Sequence, residues 1–457
     1  MSASTFGLIL AGCATTGQPP VTPLDPQLNW QAPLPHQGEV ADLSAWWAAQ
    51  GDPMLVELIE AAQAVSPTVA SAASRIAQSR AAREVAGASL LPRVDASASA
   101  ARGKTSPLFP QNTSVQGGLQ ASWEVDLFGG NAAARDAAQA RYEGSRGQWH
   151  DARISVAAEV ANQYLNFRNC ERQLKMVQTD AESRVESLRL TQLLAVSGFQ
   201  PSATGDLARA SAAEGRARVA LQRAQCDLTI KALVALTEWA EPDLRARLSA
   251  TVGPGEFTPF PLTALPASLL AQRPDLFTAE REVAAASADL GSAQAQRYPR
   301  LTLSGSVGRL RFAGGGLTET ITTWQIGPVA FSVPLFDGGR ISANIEAARA
   351  RYAEAVALYR ARARLAVREV EEALVTLDSL EVRESNWTIA VEGQRSFLAA
   401  TRERYRGGLA SLFELEETRR NTLAAELSLL SLQRERQGAW IALYRAAGGG
   451  WDRSEVG

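Results

Sequence analysis

Val125-Asp126-Leu127-Phe128-Gly129-Gly130 returns downstream as Val333-Pro334-Leu335-Phe336-Asp337-Gly338-Gly339, and Leu91-Pro92-Arg93-Val94 returns as Tyr298-Pro299-Arg300-Leu301. The copies lie about two hundred residues apart (91 to 298, 128 to 336), too long a period for a stacked solenoid repeat. Such spacing predicts a chain built from two structural halves, each running through one order of strands and helices.

Between the two motifs of the first half the pattern has period two. Val94, Ala96, Ala98 and Ala100 alternate with Arg93, Asp95, Ser97 and Ser99; then Val115, Leu119, Ala121 and Trp123 alternate with Ser114, Gln116, Gln120, Ser122 and Glu124. This predicts a strand pair with one apolar and one hydrophilic face. The second half repeats it with Leu301, Leu303 and Val307 opposed to Arg300, Thr302, Ser304 and Ser306, followed by a strand over Ile321 to Val333. Four strands leave two open edges, which a bilayer does not accept. Closure therefore calls for several chains, and three copies give twelve strands, an even number within the range of membrane barrels.

After each Gly-Gly the period changes. From Asn131 to about Val196 there is no proline and only Gly144 and Gly147, which predicts a helix of about 65 residues and roughly 100 Å. Val156, Val160, Tyr164, Phe167, Cys170, Leu174, Val177, Ala181, Val185 and Leu188 recur along it at steps of three and four, as in a weakly supercoiled seam. Tyr352, Val356, Tyr359, Ala363, Ala366, Val370, Leu374 and Leu377 form the matching stripe. Each long helix is expected to turn back, at Gly198 to Thr204 and at Gly407 to Ser411, into a shorter helix ending near Trp239 and near Ala447.

These signals divide the chain into a signal segment at 1–12, an N-terminal tether at 13–64, a first repeat at 65–240, a proline-rich linker at 241–271, a second repeat at 272–447 and a tail at 448–457. Within the first repeat, Pro67 to Leu90 reads as a helix that stops before Pro92. The start, Phe6-Gly7-Leu8-Ile9-Leu10-Ala11-Gly12-Cys13-Ala14, looks like a bacterial lipobox, with cleavage before Cys13 and acylation of that cysteine. No Lys or Arg precedes Cys13, so the signal reads as truncated, and Ala14 rather than Asp after the cysteine resembles an outer-membrane address.

Composition excludes several functions. Opposite charges nearly cancel, at a net −2, which leaves no nucleic-acid footprint. The two histidines, His36 and His150, have no ligand-spaced neighbours, and neither a Walker loop nor a Gly-x-Ser-x-Gly elbow is present. No metal site, no catalytic residue and no cofactor beyond the covalent lipid on Cys13 is expected. No segment reaches the eighteen apolar residues of a spanning helix.

With Leu335-Phe336-Asp337-Gly338-Gly339-Arg340, Arg404-Tyr405-Arg406-Gly407-Gly408 and Ala447-Gly448-Gly449-Gly450-Trp451 added to the duplicated order, the chain resembles the TolC-like outer membrane factor family. The likeness is to its NodT-type lipoprotein branch, associated with resistance-nodulation-division efflux pumps, and it covers nearly the whole mature chain. The resemblance implies a mainly α chain with a small β part. Three copies would form a 12-stranded outer-membrane β-barrel continued by a periplasmic α-helical barrel. It also implies a homotrimer, a periplasmic adaptor, an inner-membrane pump and outer-membrane lipid as partners, and passive exit of small solutes. Carried onto this chain, the family's periplasmic gate falls on Phe413, Glu417 and Arg420, with Glu417 standing where the family often has Asp. The duplication sets Asp206 opposite Glu416 and Arg209 opposite Arg419, acid and base three residues apart on one helix face. Metal export, type I secretion and a non-pore coiled-coil lipoprotein remain as alternatives.

Cys170 and Cys226 lie about thirty and twenty-five residues either side of the first turn, roughly level on antiparallel helices. In an oxidising periplasm they could bond or remain two buried thiols.

Overall fold

The structure, a computed structural model, describes residues 46–104, 111–251, 253, 272–451 and 453. In chain order the helices are α1 (Trp46–Ala49), α2 (Pro53–Val65), α3 (Pro67–Ala88), α4 (Gly130–Val196), α5 (Ser202–Thr237), α6 (Glu241–Ala250), α7 (Pro274–Ala295), α8 (Arg340–Arg406) and α9 (Leu412–Ala446). The strands are β1 (Arg93–Gly103), β2 (Asn112–Val125), β3 (Arg300–Gly314) and β4 (Leu317–Ser332). The duplication keeps register in the long helices: α4 and α8 have 67 residues each, with both ends displaced by 210 positions (130 to 340, 196 to 406). Among the described residues no helix is long and apolar enough to cross a membrane.

The chain divides into two compact units. The first (described residues 74–104, 111–146 and 277–361) holds a four-stranded antiparallel sheet in the order β1-β2-β3-β4, with β1 and β4 as its edges. Register keeps the faces separate. Val94 pairs with Ala121, Ala96 with Leu119, Leu119 with Val307, and Val307 with Trp324, while Asp95, Gln120, Ser306 and Gln325 line up on the other face. The halves meet where β2 crosses β3 at Gly118 and Gly308; a Cβ on Gly118 would lie 2.6 Å from the Val307 carbonyl oxygen, so glycine allows this approach.

The duplicated motifs form the joints between strand and helix. Asp126 accepts hydrogen bonds from the N–H groups of Asn131 (3.1 Å) and Ala132 (2.7 Å) at the start of α4. Asp337 accepts from Gly339 (2.9 Å) and Ile341 (2.7 Å) at the start of α8. Each carboxylate thereby satisfies amides that a helix start leaves unpaired, and these bonds, Ile341's above all, hold the Asp337 carboxyl below its usual range. Phe128 stacks on Tyr298, ring centres 4.8 Å apart, joining one motif of each half. Below the sheet, Leu290 of α7 packs on Ile341, Ile345 and Ala348 of α8, and Val283 and Ala286 pack on Ala355.

The second unit (described residues 46–73, 147–251, 253, 272–276, 362–451 and 453) is helical. Its core holds Leu55 and Leu58 of α2, Tyr164 and Leu165 of α4, Leu233 of α5, and Leu244 and Leu248 of α6, all essentially without exposure. Part of the expected tether is thus folded: α2 packs against α5, capped by Asp52, whose carboxylate accepts from Met54, Leu55 and the Tyr164 hydroxyl (2.6 Å). Trp46 stacks on Tyr444 at 4.8 Å. The expected linker opens with α6, tied to α4 by Arg168, which donates to the Leu248 carbonyl and to Thr251; residues 254–271 lie outside the described residues.

Candidate functional site

The turns that join the long helices to the shorter ones are built alike. In the first, Phe199 N–H bonds the Leu194 carbonyl (2.9 Å) and Gly198 N–H bonds Ala195 (3.1 Å), with Gly198 at φ 78°. In the second, Leu409 bonds Arg404 (2.8 Å) and Gly408 bonds Tyr405 (3.0 Å), with Gly408 at φ 73°. Both are Schellman closures, whose left-handed residue favours glycine. The second helix then starts on Ser411, whose hydroxyl accepts from Glu414 N–H at 3.1 Å. Beyond the glycines, Phe199 and Leu409 project into solvent, 79% and 75% exposed.

Phe413, Glu417 and Arg420 occupy one exposed face of α9, at the four- and three-residue steps that align side chains on a helix. Glu416, expected at the gate, does not join that row: it is buried, 4% exposed, because it lies on the face of α9 that carries Leu412, Leu415 and Arg419 inward. Its Oε2 accepts from Arg184 Nη1 (3.1 Å) and from the Ser211 hydroxyl (2.6 Å), and its Oε1 accepts from Arg419 Nη1 (2.6 Å). Arg184 also donates to Asp180 (2.7 Å), and Arg419 to the Ser187 hydroxyl (2.7 Å). This network links α4 and α5 of the first half to α9 of the second. Burial pushes the Arg419 guanidinium below its usual value, and Glu416 pulls the opposite way. Removing one member of such a buried ion pair leaves a charge uncompensated, at a cost of about 3–5 kcal/mol.

The duplicated pair behaves differently. Asp206 and Arg209 form a 3.1 Å salt bridge in which both side chains are 67% exposed, an interaction worth at most about 1 kcal/mol. The position of Arg184 is taken one repeat later by Gln394 (184 to 394, the displacement of the long helices), so no second arginine is available to bury Asp206 in the same way.

Arg184, Asp180, Ser187 and Ser211 carry the network, and reading the sequence did not single them out. The stripe expected along α4 is buried at Val160, Tyr164, Phe167, Cys170, Val177 and Ala181 and half-buried at Val156 and Leu174, but beyond Ala181 the buried row is Arg184, Ser187 and Thr191, while Val185 is 42% exposed. Further along the same hairpin, the structure joins Cys170 of α4 and Cys226 of α5 as a disulfide, Cα atoms 5.5 Å apart. Cys13 lies outside the described residues. Among the described residues, no group of three or more His, Cys, Asp or Glu side chains is arranged to hold a metal.

Comparison with known proteins agrees with this architecture. The chain is 30% identical to the pyoverdine export outer membrane protein OpmQ of Pseudomonas putida, over 98% of this chain and 96% of that protein. It is 27% identical to nodulation protein T of Rhizobium leguminosarum bv. viciae, over 100% and 94%. The solved structure of the outer membrane protein VceC from Vibrio cholerae superposes with a TM-score of 0.79 at 26% identity, covering 90% of this chain and 99% of that one. The profile of the family described as outer membrane efflux protein matches residues 58–237 and 265–449. The chain belongs to that family: it is an efflux channel protein of the bacterial outer membrane.

Proposed function

We propose that three copies of this chain form the passive exit duct of a tripartite efflux pump, receiving small solutes from an inner-membrane resistance-nodulation-division transporter through a periplasmic adaptor. The observation that carries the reading is the sheet: one face is apolar and exposed, with Trp324 73%, Ile326 91% and Phe331 65% open, and its edges β1 and β4 are unpaired among the described residues. In lipid such edges must be paired. Pairing β1 of one copy with β4 of the next closes twelve strands around a face of Gln120, Ser122, Ser304 and Ser306. A non-pore tether leaves that apolar face and those edges without a use. The helical hairpins then continue the duct into the periplasm, and the exposed apolar turns at Phe199 and Leu409 are where the adaptor docks. Acylation of Cys13 anchors the mature chain in outer-membrane lipid.

Phe413, Glu417 and Arg420 form the constriction, and the Arg184–Glu416–Arg419 network holds the second hairpin inward against the first. The duct breaks no bond; the energy of transport comes from the pump. OpmQ is named for export of pyoverdine; here a wall of Ser, Gln, Arg and Asp side chains accepts many solutes and leaves the choice to the pump.

Single-channel recording tests the whole reading, with the mass of the purified protein in detergent measured alongside. A trimer that conducts weakly is expected, and Glu417→Ala combined with Arg420→Ala should raise its conductance severalfold. Unchanged conductance in the double variant removes the gate. A monomer with no channel activity removes the duct.

A further inference from the structure

The outward face of the sheet is not apolar along its whole length. On β3 it presents Leu301, Leu303, Gly305 and Val307, and then Arg309 and Arg311. At about 3.3 Å per residue the apolar stretch runs about 20 Å, close to the height of a lipid-facing band. On β1 the same face carries Val94, Ala96, Ala98 and Ala100, followed by Arg102. On β4 the face passes from Phe331 and Trp324 to Thr322 and Thr320. β3 and β4 change character on the same rung, where Arg309 pairs with Thr322, and β1 changes four residues further along, where Arg102 is level with Ala313, all of them towards the hairpin ends at Gly103 and Gly314 and away from the joints with the helices.

Register places a hydroxyl beside every one of these arginines: Arg102 pairs with Thr113, Arg309 with Thr322, and Arg311 with Thr320. Strands about 4.8 Å apart and side chains about 6.7 Å apart along one face bring the three guanidinium groups within reach of a single large headgroup. All three arginines are exposed, and none enters a salt bridge among the described residues. Arginine at this height has little desolvation cost, because the cost of a charge on a lipid-facing strand falls away near the interface. Its fork of donors matches phosphate oxygens.

We propose that Arg102, Arg309 and Arg311, with their neighbouring threonines, form a collar that binds the phosphates of the phosphorylated glycolipid filling the outer leaflet. This rests on the barrel reading, which sets the apolar face towards lipid and the hairpin ends outward. The commitment to glycolipid phosphate follows from charge and geometry together: three cations and three hydroxyls spread over more than one strand suit a headgroup with phosphates at both ends of a disaccharide. A single-phosphate phospholipid spans too little of the collar.

The test uses full-length protein in detergent, with binding read by native mass spectrometry against three probes: bis-phosphorylated lipid A, the same lipid stripped of its phosphates, and phosphatidylglycerol. The bis-phosphorylated lipid should bind at least about tenfold more tightly than either alternative. Arg102→Gln, Arg309→Gln and Arg311→Gln together should abolish that preference, the corresponding lysine substitutions should keep much of it, and Arg300→Gln on the opposite face should leave it intact. Equal binding of stripped lipid or of phosphatidylglycerol by the wild type overturns the proposal, as does an equal loss from Arg300→Gln. If the glutamine triple does not assemble, the wild-type preference and its weakening in the three single variants decide the matter. A wild type that forms no conducting trimer sinks the barrel reading; a conducting trimer indifferent to phosphate sinks only the collar.

Discussion

Arg273 illustrates how a single residue ties together distant elements of the second half within the helical unit. Its guanidinium, 7% exposed, donates to Asp275 twice (3.0 and 2.8 Å), to Glu369 of α8 (2.8 Å), and to the Ala446 carbonyl at the end of α9 (2.9 Å). Burial raises the Asp275 pKa, but the bonds and charge of Arg273 outweigh it, and the carboxyl stays below its usual range. Asp151, in the same pocket, is shifted the other way, by burial and then by the charge of Asp275. The signs differ in consequence. A depressed carboxyl stabilises the fold above its unfolded pKa, about 3.9, and loses that contribution as pH falls through its lower folded value. A raised carboxyl such as Asp151 stabilises in acid and loses that contribution as pH rises past about 4. Asp275→Asn should therefore lower the melting temperature at neutral pH, by the equivalent of about 3 kcal/mol for a broken buried pair. The gap to wild type should narrow as pH drops below about 4. Melting curves of the detergent-solubilised protein check it; a gap undiminished at about pH 2.5 would show that the ion pair is not its origin.

At the scale of elements, the long helices were legible because their signals are local: no proline, a sustained period of three and four, and a glycine where each ends. The four strands were legible for the same reason, although they run further than expected, to Gly103 and Gly314. The polar row of Arg184, Ser187 and Thr191 was not legible, since its partners, Glu416, Arg419 and Tyr405, lie more than two hundred positions away. Helix α6 was hidden by the prolines around it, whereas α2, with Met54, Leu55, Leu58, Ile59 and Ala62 at helical steps behind Asp52 and Pro53, carries a local signal that the proline-rich stretch before it masked. The first hairpin also carries the bond between Cys170 and Cys226, 56 residues apart. A cross-link closing a loop of that size contributes about 2–4 kcal/mol, mainly by restricting the unfolded chain. Cys170→Ser with Cys226→Ser should lower the melting temperature while leaving conductance unchanged. Thiol titration of denatured, unreduced wild type should find neither cysteine free; two free groups would refute the bond in the mature protein.

For the whole molecule, the duplication leaves one contact half made. Phe128, from the first strand-to-helix motif, stacks on Tyr298, which opens the Pro-Arg motif of the second half. The same two positions one repeat away are Phe336 and Leu91, and in a single chain they have no such packing: Phe336 is 93% exposed and Leu91 66%. These side chains lie at the helix ends of β4 and β1, the two edges left open. If copies join edge to edge, each Phe336 meets the Leu91 of the next copy, repeating between chains what Phe128 and Tyr298 do within one; heterologous contacts of this kind generate a closed ring when the rotation closes. Leu91→Cys with Phe336→Cys in one chain should therefore give covalent dimers and trimers under mild oxidation on a non-reducing gel, whereas either substitution alone should give no ladder. Trimers that resist this cross-link while conducting would mean that the ring closes through some other pair of edges, and monomeric disulfides would mean that the two edges meet within one chain.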